Sequence, residues 1–311
     1  MNSIPPERSQ PQAKRLVSGI CIGVLTASAF GIGGYYLLEP METMGASLFI
    51  LLPVATGFAT ALVARGKAII FASLVIALLI CTAVLMLTGK EGWVCALMSA
   101  PLVLGGLALG ALIGWAATQL MRNFRGRRPA MFLMIGALPF FLMGASNVEQ
   151  QSQTTTRAET ITNTLVTDAS REVVWEQLKT FDRIQGTKGL LMTIGLPVPV
   201  SCNMSGEGVG ATRTCYFEEG HIEERITEWN PPSTMKLEIV AFDVPGRPWL
   251  SFKDASYDLT TEGGKTMVTR KTTIVSILGP AWYWRPLEKI GVETEHEYLF
   301  EEVKRKIEVA K

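Results

Sequence analysis

Residues 212–232 read TRTCYFEEGHIEERITEWNPP. Five glutamates, two arginines, a cysteine and one of the chain's two histidines fall in that stretch. A carboxylate beside an imidazole is equipped for acid–base catalysis, and a carboxylate beside a guanidinium can grip a polar ligand head or tie a core together. Which side chains share a face decides what is available. Side chains alternate faces along a strand. A turn at Glu219-Gly220 pairs Phe217 with Ile222, Cys215 with Glu224 and Arg213 with Ile226. One face then carries Arg213, Cys215, Phe217, Ile222, Glu224 and Ile226, apolar except for one arginine and one glutamate. The other carries Thr212, Thr214, Tyr216, Glu218, His221, Glu223, Arg225 and Thr227. Parity therefore assigns His221 and most of the glutamates to water.

A second histidine lies on a predicted helix spanning about 281–309. At 100° per residue, Val292, His296, Leu299, Phe300, Val303 and Ile307 cluster on one face. A long helix laid on a curved antiparallel sheet makes a two-layer α+β domain that can enclose a cavity. Arg213, Glu224 and His296 then converge on an otherwise apolar interior, with Arg213 and Glu224 as diagonal neighbours. The same parity around the EGGK turn points Arg270 inward. Three readings stay open: a core ion pair, recognition of a ligand's polar head, and acid–base work by Glu224 and His296.

The rest of this charged half supplies the scaffold. Residues 146–159 are polar and without periodicity, as in a linker, and TITNTLVT reads as a strand. In ASREVVWEQL, Ser170 is placed to cap a helix whose apolar stripe is Val174, Trp175, Leu178 and Phe181. Short alternating segments follow, separated by GEGVG, EEG, NPPS and EGGK, the pattern of an antiparallel meander. The order of VWEQL, GLPVPV, GEGVGATRTCYFEEG, ITEWNPP and GPAWYWRPLEKI resembles the START-like (SRPBCC, polyketide cyclase-like) helix-grip superfamily over residues 157–310. In particular it resembles bacterial members that carry such a domain beside membrane helices. The resemblance implies a helix-grip fold around a small-molecule cavity, a glutamate at the Glu224 position and a histidine at that of His296. It names no substrate, because one fold hosts many activities.

Cys202 and Cys215 are symmetric about GEGVG, so a hairpin sets them opposite each other on the inner face. A disulfide there is open to an extracytoplasmic domain, although cross-strand geometry strains such a bond and favours free thiols. Cys21, Cys81 and Cys95 fall in or beside apolar segments and read as small fillers. The sequence contains no CxxC, HExxH, Walker loop, dinucleotide fingerprint or GxSxG elbow, so neither metal nor cofactor is expected. The aromatic run AWYWRP, 281–286, has two readings, an interfacial belt or the mouth of the cavity packing on GLPVPV.

The chain of 311 residues is charge-balanced only in sum: residues 1–145 carry net +6 and residues 146–311 net −5. The acidic half with dispersed basic residues excludes a nucleic-acid footprint. Five apolar segments, about 16–38, 44–64, 68–87, 93–121 and 129–145, approach the roughly 20 residues needed to span a bilayer. The first four are long, whereas the fifth has about 17 residues and contains Pro139. No charged residue lies inside them, which points to an anchor or scaffold rather than an ion-coupled transporter. Gly19, Gly23, Ala27 and Gly31, and Gly106, Gly110 and Gly114, form small-residue ladders suited to close helix packing, including self-association.

Arg8, Lys14, Arg15, Arg65, Lys67, Arg122, Arg125, Arg127 and Arg128 fall on one side of these segments, against Lys90 on the other. That bias puts the N-terminus in the cytoplasm and, with five spans, the acidic half outside; a re-entrant fifth segment would reverse the latter. The basic lead and small residues Ala27 and Ala29 mimic a signal peptide, but the apolar run continues through Leu38, as in an uncleaved helix. The expected organisation is a cytoplasmic segment 1–15, a transmembrane bundle 16–145 of about five helices, a linker 146–158 and a helix-grip domain 159–311. The partners expected are the bilayer and a hydrophobic or amphipathic small molecule, such as a lipid. The alternatives are a cyclase- or hydrolase-type enzyme and a structural module without ligand.

Overall fold

The computed structural model describes residues 10–41, 44–123, 127–152, 156–244 and 250–309. Arg8 and Arg125, part of the basic bias, and residues 153–155 of the expected linker lie outside them. The chain divides into two compact units, residues 1–91 with 95–154, and residues 92–94 with 155–311.

The first unit consists of α1 (Gln10–Leu38), a π-turn (Ser47–Leu51) leading into α2 (Leu52–Val63), α3 (Lys67–Leu87), α4 (Trp93–Leu120) and α5 (Arg127–Ser152). Among the described residues, four stretches are long and apolar enough to cross a membrane: Ala13–Met41, Lys67–Leu87, Trp93–Leu120 and Pro129–Gln151. Ser47–Val63 is the short one. The structure thus moves the marginal segment from the fifth position to the second. Helix α5 gains its length by running on through polar residues to Ser152, so the join before the first strand is shorter than the expected linker. Glu149 explains part of that extension. Its carboxylate accepts from the backbone amides of Ala46 (2.6 Å) and Ser47 (2.9 Å), where a helix start offers unpaired donors.

The small-residue ladders are used inside the chain. Gly19, Gly23 and Gly31 of α1 face Ile69, Ser73 and Cys81, so α3 runs parallel to α1. Gly34 meets Leu52 and Gly23 meets Ala64, so α2 runs the opposite way. Gly106, Gly110 and Gly114 face Pro53, Val54 and Ala61, aligning α4 with α2. An added Cβ at Gly110 would stand 2.0 Å from the Val54 carbonyl oxygen, which is backbone and cannot move aside. Within the chain, these contacts already use the small faces of both ladders. Lys90 pairs with Glu39 (2.6 Å), placing the α1–α2 and α3–α4 connections at one end of the unit. Glu149 brings the end of α5 there too.

The second unit has the helix-grip arrangement. It contains β1 (Arg157–Thr167), α6 (Arg171–Lys179), α7 (Leu190–Thr193), β2 (Pro199–Met204), β3 (Thr212–Phe217), β4 (His221–Asn230), β5 (Thr234–Asp243), β6 (Leu250–Glu262), β7 (Lys265–Ser276) and α8 (Ala281–Val309). The strands form one antiparallel sheet in the order β1-β7-β6-β5-β4-β3-β2. Burial alternates residue by residue along β7, as a sheet with one covered face requires. Ser170 caps α6 by accepting from the Val173 amide (3.5 Å), and Val174, Trp175, Leu178 and Phe181 are all buried. They join Leu299, Val303 and Ile307 of α8 and inner residues of the sheet in one core. The β3–β4 turn depends on Gly220, at φ 83°, where a side chain would strike the Asp243 backbone.

Candidate functional site

The inner face of β3 and β4 has the parity read from the sequence, with a different register. Arg213 stands directly opposite Glu224 and Cys215 opposite Ile222, two residues away from the expected pairing. A shift of two preserves every side chain's face and changes only its partner. Arg213 and Glu224 are therefore cross-strand partners rather than diagonal ones. The Arg213 Nε lies 3.6 Å from the Glu224 Oε2, close enough for an ion pair and too far for a good hydrogen bond.

Arg213, Cys215, Glu224, Arg270 and His296 are all buried, and Phe217 is partly buried against the same core. Arg213 is 1% exposed, with its guanidinium carbon 5.8 Å from the Phe181 ring centre and 5.6 Å from that of Tyr257. Arg270 approaches the same Tyr257 ring at 5.4 Å. Tyr257 pairs with Arg270 across β6 and β7, whereas Arg213 belongs to β3, four strands from β7. At about 4.8 Å per strand those positions would be roughly 19 Å apart on a flat sheet. Curling of the sheet brings both cations to one ring.

Four of their nitrogens, Nε and Nη1 of each arginine, are buried without a hydrogen-bond acceptor among the described residues. Arg270 uses Nη2 on Glu295, at 3.1 and 3.0 Å to its two oxygens. Burial opposes charge on both arginines. Tyr257 and Glu224 outweigh it for Arg213, and Glu295 leads the same reversal for Arg270, so both hold their protons above the usual arginine range. Burial raises the Glu224 carboxyl above the usual carboxylate range, although Arg213 and Arg270 pull it back. An ion pair alone would lower it; at 3.6 Å without a hydrogen bond, desolvation wins.

His296 is fully buried. Its Nδ1 lies 2.7 Å from the Asn163 Oδ1 and its Nε2 lies 2.7 Å from the Thr272 Oγ1. The amide oxygen can only accept, so Nδ1 donates and the threonine hydroxyl donates to Nε2 of a neutral ring. Burial, reinforced by Arg270, pushes its pKa down to about 2. With both nitrogens engaged and so little basicity, this imidazole is a poor acid–base partner for Glu224. It locks α8 onto β1 and β7.

Cys202 and Cys215 face each other across β2 and β3 and are joined by a disulfide, which corrects the expectation of free thiols. The Cys215 sulfur lies 3.9 Å from the Glu224 Oε2, so the bridge forms part of the same wall.

Three residues of this interior escape the strand-parity analysis. Glu288, Glu295 and Glu302 recur every seven residues along α8. Glu288 pairs with Arg157 and accepts from the Ser276 hydroxyl (2.6 Å). Glu302 is buried, holds Arg305 (2.5 Å) and accepts from the Gln185 amide (2.9 Å). The heptad spacing of acids along a helix with an apolar stripe is the signal that would have found them. An open groove of about 530 Å³ lies on the opposite, outer face of the sheet, among Thr227, Lys236, Lys253 and Lys271. It includes none of the predicted site residues, and Lys236 and Lys271 there are already paired with Glu228 and Asp258. The inner cluster is the candidate functional site, because its two arginines together leave four buried guanidinium nitrogens without a partner among the described residues.

No family model matches the chain, and no curated protein matches it. Solved structures do. The Aha1 dimer from Colwellia psychrerythraea is 18% identical, over 46% of this chain and 96% of that one, with a TM-score of 0.31. The di-domain ARO/CYC BexL from the BE-7585A biosynthetic pathway is 16% identical, over 66% and 61%, with a TM-score of 0.37. Norcoclaurine synthase from Thalictrum flavum, in complex with dopamine and hydroxybenzaldehyde, is 14% identical, over 48% and 88%, with a TM-score of 0.33. At these identities none of the likenesses carries an activity over to this chain.

Proposed function

We propose that this chain is a multi-pass membrane protein whose helix-grip domain binds an amphipathic small molecule with an acidic head. The observation behind it is the set of four buried guanidinium nitrogens on Arg213 and Arg270 without acceptors among the described residues. Leaving a buried donor unmade costs about 1–3 kcal/mol, and more on a charged group, so such donors are ordinarily filled. A carboxylate or phosphate offers several acceptors in a geometry that guanidinium groups match. The surrounding side chains, including Phe181, Tyr257 and Phe217, suit an apolar body.

The test uses a fluorescent long-chain fatty acid and the fatty alcohol of equal length, titrated into the purified full chain in mild detergent. The acid binds at least tenfold more tightly, and Arg270→Gln removes that preference while Arg270→Lys restores part of it. Equal binding of acid and alcohol by the native chain would sink the proposal.

The same proposal places the domain on the extracytoplasmic side. In its support, helix directions alternate and α5 ends opposite to the basic end of the bundle, which contains Lys14, Arg15, Arg65 and Lys67. A disulfide also suits an oxidising compartment. A C-terminal alkaline phosphatase fusion is expected to be active and a C-terminal fluorescent protein dark at the cell envelope; the reverse pattern puts the domain in the cytoplasm.

A further inference from the structure

We propose that the first three turns of α8 form a face that rests in the headgroup zone of a lipid bilayer. This rests on the reading of the apolar N-terminal helices as membrane spans. At 100° per residue, Trp282, Arg285, Pro286, Lys289, Ile290 and Glu293 share one arc of α8. Trp282 is 72% exposed and Ile290 48% exposed. Trp284, two residues on, is buried and donates its ring N–H to the Gly279 carbonyl (3.0 Å). The aromatic run is therefore split, with one tryptophan for the core and one turned outward. The segment around α7 widens the outward face. Gly189 lies against Thr294, one turn beyond Ile290, and the neighbouring Leu190 is 77% exposed.

Exposed tryptophan, isoleucine and leucine gathered in one place mark an interaction surface rather than ordinary scatter. The charges of the arc are balanced once Glu159 of β1 is counted with them. Arg285 donates to Glu159 (2.9 Å), and Lys289 lies 3.6 Å from Glu293. A face without excess charge has nothing to select an acidic or basic protein, whereas the amphipathic tryptophan ring favours the boundary between headgroups and acyl chains. The tether identifies the occupant. Helix α5 ends at Ser152 and β1 begins at Arg157. Five steps of at most about 3.6 Å keep the start of the domain within roughly 18 Å of the helix end. A bilayer crossed by α5 is thus permanently within reach, and any other partner has to arrive by diffusion.

The experiment reconstitutes the full chain in phosphatidylcholine vesicles containing lipid brominated at a shallow or a deep acyl position. Tryptophan quenching is compared among the native chain, Trp282→Phe and Trp115→Phe. Trp282→Phe is expected to lose a component quenched by the shallow bromine and to match the native chain with the deep one. Trp115 lies on α4 and reports on the span itself. If Trp115→Phe loses quenching while Trp282→Phe matches the native chain at both depths, the docking face is refuted and the span reading stands. If neither tryptophan is quenched, both ideas fall. A Trp282 signal that follows the protein-to-lipid ratio instead of bromine depth points to a second copy of the chain, and also overturns the proposal.

Discussion

Replacing Arg213 with methionine is expected to destabilise the helix-grip domain by about 3–5 kcal/mol, the cost of leaving one charge of a buried pair uncompensated. Arg213 is enclosed between Phe181 and Tyr257, and its Nε faces the Glu224 carboxylate at 3.6 Å. Methionine fills most of the aliphatic volume, so the loss falls on Glu224 rather than on packing. The carboxylate is then buried beside the Cys202–Cys215 bridge with Arg270 as its remaining cation of note. Glu224 responds by holding its proton more tightly still. Between the unfolded carboxyl pKa and this raised value, the folded state binds a proton that the unfolded state does not. The variant's stability therefore declines as pH rises through that window, and its deficit is larger at pH 8 than at pH 5.

A second substitution separates charge from shape. Arg213→Met with Glu224→Leu removes both members, and buried pairs replaced by apolar residues are often neutral or better. Denaturant unfolding of the purified full chain, followed by the fluorescence of the Trp175–Trp229 pair in the domain core, provides the measurement. A single-variant loss under about 1 kcal/mol, the range of exposed ion pairs, would show that this pair is not desolvated as described. Failure of the double variant to recover would assign the loss to packing.

The second large effect concerns acid. His296 is neutral when folded, with a pKa pushed down to about 2, and it titrates near 6.5 when unfolded. Below pH 6.5 the unfolded chain takes up a proton that the folded chain refuses, so this residue removes stability as pH falls. At 1.36 kcal/mol per unit, the loss between pH 6.5 and pH 4.5 is about 2–3 kcal/mol. Glu224 acts in the opposite sense: its raised pKa lets the folded state gain the proton first as pH falls towards the unfolded carboxyl value. The native acid limb contains both effects, so the His296 share is read as a difference. His296→Gln keeps hydrogen-bonding capacity towards Asn163 and Thr272 and has no such titration. The native chain is expected to exceed this variant in stability at pH 7, with the gap shrinking by about 2–3 kcal/mol at pH 4.5. A gap that stays constant over that range would mean that His296 takes up its proton as readily in the folded protein as in the unfolded one.

These two expectations bear on function, because they divide the inner cluster into parts. His296, with Asn163 and Thr272, is a satisfied hydrogen-bonding unit that fixes α8. Arg213 and Arg270 retain unused donors at the Tyr257 ring. On the proposed function, the ligand's contacts would lie with the guanidinium groups, and the histidine supports the wall they stand on.

Much of this was legible along the chain. The alternation of β3 and β4 assigns Arg213, Cys215 and Glu224 to the core and His221 to the rim, because side-chain direction in a strand is a local property with period two. The seven-residue run of glutamates on α8 was also there to be read, since residues one heptad apart return nearly to the same helix face. Hydropathy located five apolar helices for a similar reason: an apolar run of spanning length is a property of each segment by itself.

What the chain could not reveal by itself are relations between segments. Whether Arg213 meets Ile226 or Glu224 depends on the turn at Gly220, and a two-residue change of register leaves the hydrophobic pattern intact. The glycine ladders invite close packing, but only the assembled bundle shows that α2 and α3 already occupy them. The encounter of Arg213 and Arg270 at Tyr257 requires the curl of a whole seven-stranded sheet. Curl accumulates from the twist between neighbouring strands and is recorded in no short stretch of sequence. The sequence determined which residues face inward; the tertiary structure decided which of them meet.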